Sequence, residues 1–260
     1  MKVLILTGRK SRSVIKLQKA FDKAGFEKVD YLNISKLNLI SRGGKTQIVN
    51  DGINVSDYDA IYLRARLNLS PFIEPLLDEL KEEGVYVQFM PGAFYLNGNE
   101  ALQIAALSSK EIPITKSVLV VDPSIIKDSA EKFSYPLIFK SYVGQKKTQS
   151  ILIESPRSLR SITKSIKMDL DAAIVREFEE GDLIQCTVIG SKVFGIRRKW
   201  NGTEIESLAK GKSYNVSDKE RSTAIRAALA CGCEIATVKL SKGVVTEVMH
   251  DVHLSLFSKK

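Results

Sequence analysis

Tyr135-Pro136-Leu137-Ile138-Phe139-Lys140 reads as an apolar strand that ends on a lysine. A buried strand seldom ends on an ammonium without a partner for it. The polar run that follows, Ser141 to Gln149, reads as a mobile loop around Gly144 that could close over phosphates. Downstream, Ile174-Val175-Arg176-Glu177-Phe178-Glu179-Glu180-Gly181-Asp182 places carboxylates at the end of a second strand. There they can accept hydrogen bonds from ribose hydroxyls while adjacent backbone groups read an adenine edge. Arg197-Arg198-Lys199 follows a further strand and suits a triphosphate. Each piece alone is also what a solvated charged loop offers, so the order of the pieces is the signal.

Outward from that stretch, the chain starts as strand–helix–strand. Lys2–Thr7 is a short apolar strand, and Val14, Leu17, Ala20 and Phe21 recur at helical spacing until Ala24-Gly25. Val29–Ile34 is the next strand, which implies a parallel crossover. Arg42 to Asp51 predicts a hairpin or excursion. Tyr58–Arg64 is a strand with Arg64 and Arg66 near its carboxyl end, where open α/β sheets place ligands. A helix over 71–83 and a strand over 85–89 complete an α/β unit ending near Gly98. After a helix over 100–110 the texture is α+β. Strands are expected at 118–121, 137–140, 151–153, 173–177, 184–188, 192–196, 234–240 and 244–249, and helices at 123–133, 158–168 and 218–231.

Composition narrows the classes. The chain has 260 residues, 44% hydrophobic, with 39 Lys and Arg against 30 Asp and Glu, a formal charge of +9. That is a globular composition with room for more than one subdomain. No apolar run reaches membrane-span length, and Val3-Leu4-Ile5-Leu6 is too short for a signal-peptide core. Three cysteines without a C-x-x-C pair disfavour a disulfide scaffold or zinc ribbon and fit a reducing cytoplasm. Cys231 and Cys233 read as small buried thiols. Acidic residues are interleaved with the basic ones, and basic residues do not alternate with aromatics on any strand, so nucleic acid is disfavoured as a partner. There is no G-x-x-x-x-G-K-[ST]; Gly43-Gly44-Lys45-Thr46 lacks the spaced first glycine and the preceding strand. Gly8 to Ser13, between a strand and a helix, reads equally as an anion loop or a solvated turn. His250 and His253 flank Asp251, and without further ligands they read as an incidental pair.

The order of these elements resembles the ATP-grasp superfamily, and within it the RimK-like carboxylate–amine ligases, from Met1 to about Met249. The resemblance implies an α/β domain over 1–98, a central lid subdomain over 99–178 and a C-terminal subdomain over 179–260. At 260 residues the chain is short for that arrangement, with the shortfall after Glu247. The resemblance also implies ATP and Mg²⁺. Lys140, Lys146 and Lys210 would face the phosphates, Glu177, Phe178 and Asp182 the nucleoside, Arg197 the reacting carboxylate, and Glu247 the metal. Four positions depart from the pattern. Lys239 stands at the first metal-binding aspartate, Met249 at the last metal ligand, Glu100 at an expected lysine, and Gln185 at an expected arginine. The implied activity is joining a carboxylate to an amine through an acyl-phosphate, on a small molecule or an acidic carrier. The alternatives are a scaffold that binds nucleotide or partner without turnover, and a small-molecule kinase. Homo-oligomerisation is left open.

Overall fold

The computed structural model describes residues 1–43, 45–50, 53–122, 125–143, 146–165, 172–200, 205 and 207–252. The chain forms two compact units, one from Met1–Gly98 with Cys231–Thr237 and the described part of Met249–Lys260, the other from Asn99–Ala230 with Val238–Val248.

In the first unit, β1 (Lys2–Thr7), β2 (Lys28–Asn33), β6 (Ala60–Arg64) and β7 (Tyr86–Val87) form a parallel sheet in the order β2-β1-β6-β7. Val3 to Leu6 are all buried, because a parallel strand covered on both faces has no solvent side to alternate toward. Helix α1 (Arg12–Lys23) is capped by Ser11, whose hydroxyl accepts from the Val14 amide at 3.4 Å, and its Val14, Leu17 and Phe21 pack on Ile5 and Val29. The excursion expected near residues 42–51 is a separate antiparallel sheet of β3 (Asn38–Arg42), β4 (Lys45–Asn50) and β5 (Ile53–Asn54). Helix α2 (Ser70–Glu82) buries Ile73, Leu76, Leu77 and Leu80.

The strand expected over 85–89 pairs with β6 at Tyr86 and Val87, after which the Gln88 side chain takes over the ladder to β6 and Phe89 bridges to Cys233 instead. The Gln88 side-chain amide accepts from the Leu63 N–H at 3.0 Å and donates to the Leu63 carbonyl at 2.6 Å. A six-residue helix that the pattern did not announce, α3 (Ala93–Gly98), follows; the buried Glu74 carboxylate accepts from the amides of Gly92, Phe94 and Tyr95 at its start.

In the second unit, α4 (Glu100–Ser109) is capped by Asn99, which accepts from the Ala101 and Leu102 amides. The strands β8 (Ser117–Val120), β9 (Leu137–Val143), β10 (Lys146–Ile153) and β11 (Ala172–Glu177) make an antiparallel sheet, β10-β9-β11-β8. Helices α5 (Ile126–Ala130) and α6 (Pro156–Ser165) bring Ile126, Ala130 and Leu159 into one core with Leu137, Phe139, Ala173 and Val175 of this sheet. The loop expected over 141–149 is instead a long hairpin: β9 runs on to Val143, and β10 pairs back from Lys146. β10 is an edge strand, where lysines and polar residues are tolerated and no apolar period is needed, so its sequence reads as loop.

A second sheet has the order β14-β13-β12-β15-β16, from β12 (Leu183–Ile189), β13 (Lys192–Arg198), β14 (Lys212–Tyr214), β15 (Ile235–Ser241) and β16 (Val244–Met249). The last two strands turn through Lys242 and Gly243, both at positive φ, as a two-residue hairpin requires. Helix α7 (Asp218–Ala230) opens on a capping box between Ser217 and Glu220.

Candidate functional site

Period two on β9 separates a core face from a working face. Leu137 and Phe139 point into the core with Val175, while Ile138, Lys140 and Tyr142 share the opposite face with Arg176, which lies beside Ile138 in register. Three polar groups of this face converge on one carboxylate, the first residue of α4. Lys140 Nζ donates to Glu100 Oε2 at 2.6 Å and Oε1 at 2.7 Å, the Tyr142 hydroxyl to Oε2 at 2.8 Å, and Arg176 Nη1 lies 3.4 Å from Oε1. Arg176 also donates to the Thr246 carbonyl at 2.8 Å, which ties this sheet to β16. Thr246 Oγ1 in turn donates to the Lys239 carbonyl, and Lys239 Nζ sits 2.6 Å from Glu247 Oε2. The cluster therefore holds three cations, Lys140, Arg176 and Lys239, against two carboxylates, Glu100 and Glu247, a net of +1.

Burial alone would raise the Glu100 carboxyl. The Lys140 charge and hydrogen bond, helped by Arg176 and Tyr142, outweigh it and hold Glu100 below its ordinary value of 4.5. Burial and the Glu100 charge together push the Tyr142 phenol far up, so it remains a donor. A carboxylate with a depressed folded value stabilises fully above its unfolded value and loses that contribution as pH falls through the folded one. The difference in urea midpoint between the native chain and Glu100→Gln is thus expected to be constant above about pH 5 and to shrink steadily below 4.5. A difference that stays flat down to acid unfolding would mean the cluster does not carry this charge.

The other expected positions are distributed as follows. Asp182 and Arg197, expected to face a nucleoside and a reacting carboxylate, face each other: Arg197 Nε donates to Asp182 Oδ2 at 2.5 Å, and the Trp200 amide donates to Oδ1 at 3.0 Å. The Trp200 amide and the Arg197 side chain hold the Asp182 carboxyl below its usual range. Glu177 accepts from the Ser134 amide at 3.0 Å, and the Phe178 ring lies 5.1 Å from that of Trp200. Lys210 is exposed on a short turn that Gly211 lets lie against β13, since a Cβ there would meet Ile196 Cγ2 at 2.5 Å. Lys146 opens β10, with its side chain outside what is described; Gly144 and His253 lie outside the described residues.

Four buried groups able to donate lack an acceptor among the described residues: the Thr115 hydroxyl, Arg176 Nε, the Gln185 amide nitrogen and Arg221 Nε. Such a donor costs about 1–3 kcal/mol unless something accepts from it. His250 serves the first unit: it lies 5.1 Å from the Phe94 ring and meets the Ala65 carbonyl at 3.2 Å, and burial lowers its basicity. The three cysteines are buried, their thiols pushed up to about 12, which makes them packing residues.

Glu100, Tyr142 and Arg176 were not among the residues expected to form a site. Once β9 is known to run on to Val143, alternation places Tyr142 on the face of Lys140, and Arg176 joins them only through the pairing of β11 with β9.

Mg²⁺ is the metal that the fold resemblance implies, and the residues present do not fit it. A hard cation wants several oxygen ligands in near-octahedral order. Here Glu247, the residue expected to bind it, holds an ammonium, and position 249 is a thioether. Among the described residues no group of three or more His, Cys, Asp or Glu could hold a metal.

Residues 98–260 match the RimK-like ATP-grasp domain. A protein of Desulfotalea psychrophila named "Probable alpha-L-glutamate ligase" is 26% identical over 212 residues, which are 77% of this chain and 45% of that protein, so the chain spans about half of that relative. One of the same name from Methanococcoides burtonii is 24% identical over 265 residues, 98% of this chain and 88% of its own length. The solved structure of the ATP-grasp ligase PsnB with minimal precursor, Mg and ADP superposes with a TM-score of 0.73 at 15% identity, covering 98% of this chain and 91% of that one. At that identity the likeness shows the fold, which is ATP-grasp. No helix among the described residues is long and apolar enough to cross a membrane.

Proposed function

The chain belongs to the RimK-like ATP-grasp family, and from that premise we propose that it joins a carboxylate to an amine through an acyl-phosphate, with ATP converted to ADP. A substrate carboxylate oxygen attacks the γ-phosphorus and ADP leaves. The amine nitrogen then attacks the acyl carbon, and phosphate and a proton depart. The observation that carries this reading is the working face of β9 and β11, where Lys140 and Arg176 offer two cations and an unpaired buried N–H to a polyphosphate. Lys146 and Lys210 extend that basic surface. Glu177, Phe178 and Asp182 frame the nucleoside, and Arg197 steadies the carboxylate as it is phosphorylated. The relatives' names make glutamate the first amine to test, on an acidic peptide or carrier as acceptor.

The Lys239–Glu247 pair favours a second reading, in which the same lobe binds nucleotide without metal-dependent turnover. One experiment parts the two. Purified chain is mixed with ATP, glutamate and an acidic peptide, with Mg²⁺ or with EDTA, and both nucleotide binding and ADP release are followed. ADP release that needs both peptide and amine supports ligation. Binding without ADP release supports the second reading, and a phosphorylated product formed without amine would mean a small-molecule kinase. A folded chain that binds no nucleotide sinks all three.

A further inference from the structure

The parallel sheet of the first unit reverses its winding at β1. From β1 the chain passes to β2 on one side, and then returns to β6 and β7 on the other. In open α/β sheets such a switch point leaves a crevice at the carboxyl ends of the two diverging strands, and ligands bind there. Here a cleft of about 710 Å³ opens at that place, between Thr7 at the end of β1 and Arg64 at the end of β6. Its volume falls within the roughly 300–1,000 Å³ of small-molecule sites, so its size suits an organic molecule rather than a bare ion.

The charges in the cleft fix the ligand's sign. Arg9, Arg64 and Arg66 line it against one carboxylate, Asp251, a net of +2. Asp251 Oδ2 lies 3.0 Å from Arg64 Nη2 and sets that guanidinium in place at the strand end. Arg9 and Arg66 pair with no carboxylate among the described residues. Guanidinium groups take carboxylate and phosphate through paired, parallel hydrogen bonds. The hydroxyls of Ser11 and Ser13, 2.8 Å apart, stand on the same wall.

We propose that this cleft, formed by residues of the first unit, is a binding site for a small organic polyanion with at least two carboxylate or phosphate groups. Arg9 and Arg66 grip the acidic groups, and Arg64, held by Asp251, is the fixed third point. The site lies wholly in the first unit, so its test needs no nucleotide.

Calorimetric titration of the full chain with tricarballylate and, separately, fructose 1,6-bisphosphate distinguishes the carboxylate from the phosphate source. Saturable one-to-one binding of either is expected, weakened about tenfold or more by Arg66→Gln and again by Arg9→Gln, as loss of a charged hydrogen bond implies. Arg12→Gln, an exposed arginine of α1 outside the cleft wall, should leave affinity unchanged. The three substituted arginines are exposed, so each variant should fold. No saturable binding of either probe would overturn the proposal. So would an equal loss in Arg12→Gln, which would reduce the effect to a general basic surface. Because nucleotide binding is measured apart, failure here leaves the ligase reading standing, and the reverse holds.

Discussion

Replacing Lys140 with methionine is expected to destabilise the chain by on the order of 3 kcal/mol, the usual loss when one partner of a buried ion pair is removed. The methionine keeps most of the apolar stem but leaves Glu100 with only the hydroxyl of Tyr142 at 2.8 Å and Arg176 at 3.4 Å. Side-chain exposure is 12% for Lys140 and 21% for Glu100, so water cannot replace the lost ammonium fully. The same variant should weaken nucleotide binding more than tenfold, since a charged phosphate contact contributes about 1.5–3 kcal/mol. These two losses have different origins and come apart in the double variant. Lys140→Met with Glu100→Gln removes both charges, so most of the stability should return, measured by urea unfolding as a coupling in the double-mutant cycle. Nucleotide affinity should not return. If affinity recovers along with stability, Lys140 serves only to neutralise Glu100, and its phosphate role is lost.

This pairing also marks where the sequence could be read and where it could not. The parallel opening of the first unit was legible because Val3 to Leu6 is an unbroken apolar run, the next apolar residues recur at helical spacing, and Ala24-Gly25 stops α1. The hairpin of β12 and β13 was legible from Gly190-Ser191, and that of β15 and β16 from Lys242-Gly243. β10 was not, since an edge strand has no buried face to impose a period on its polar half. β7 stopped short because a glutamine side chain can imitate backbone hydrogen bonds, which no propensity foresees. At the site, the sequence supplied the strand ending in Lys140 and the odd residues Glu100 and Lys239, each as a departure standing alone. It did not show that each departure closes on another expected residue, Glu100 on Lys140 and Lys239 on Glu247. Those contacts join residues 40 and 8 positions apart and depend on which strands become neighbours.

The closing of Lys239 on Glu247 yields the second large effect. ATP-grasp ligases use ATP and Mg²⁺, and one structural neighbour is shown with Mg and ADP. In this chain the ammonium 2.6 Å from Glu247 supplies one positive charge where two would come with the metal, and it cannot order oxygen ligands around itself. Nucleotide binding by the native chain should therefore change less than about twofold between Mg²⁺ and EDTA, a difference under 0.5 kcal/mol. Lys239→Asp with Met249→Asn reverses this. It removes the ammonium, frees Glu247 and adds two oxygen ligands. With the three cations and two carboxylates of the cluster becoming two and three, its charge passes from +1 to −1, which favours a dication. Binding of a non-hydrolysable ATP analogue to the double variant is expected to tighten tenfold or more with Mg²⁺ and to be weaker than native in EDTA, where three carboxylates repel the phosphates. Lys239→Ala alone should fall between, with Glu247 released but no new ligand supplied. Calorimetry across the three chains reads each arm. A double variant that folds yet gains no metal dependence would mean that Lys239 and Glu247 do not lie where the phosphates bind, and the nucleotide would then have to be sought away from β15 and β16.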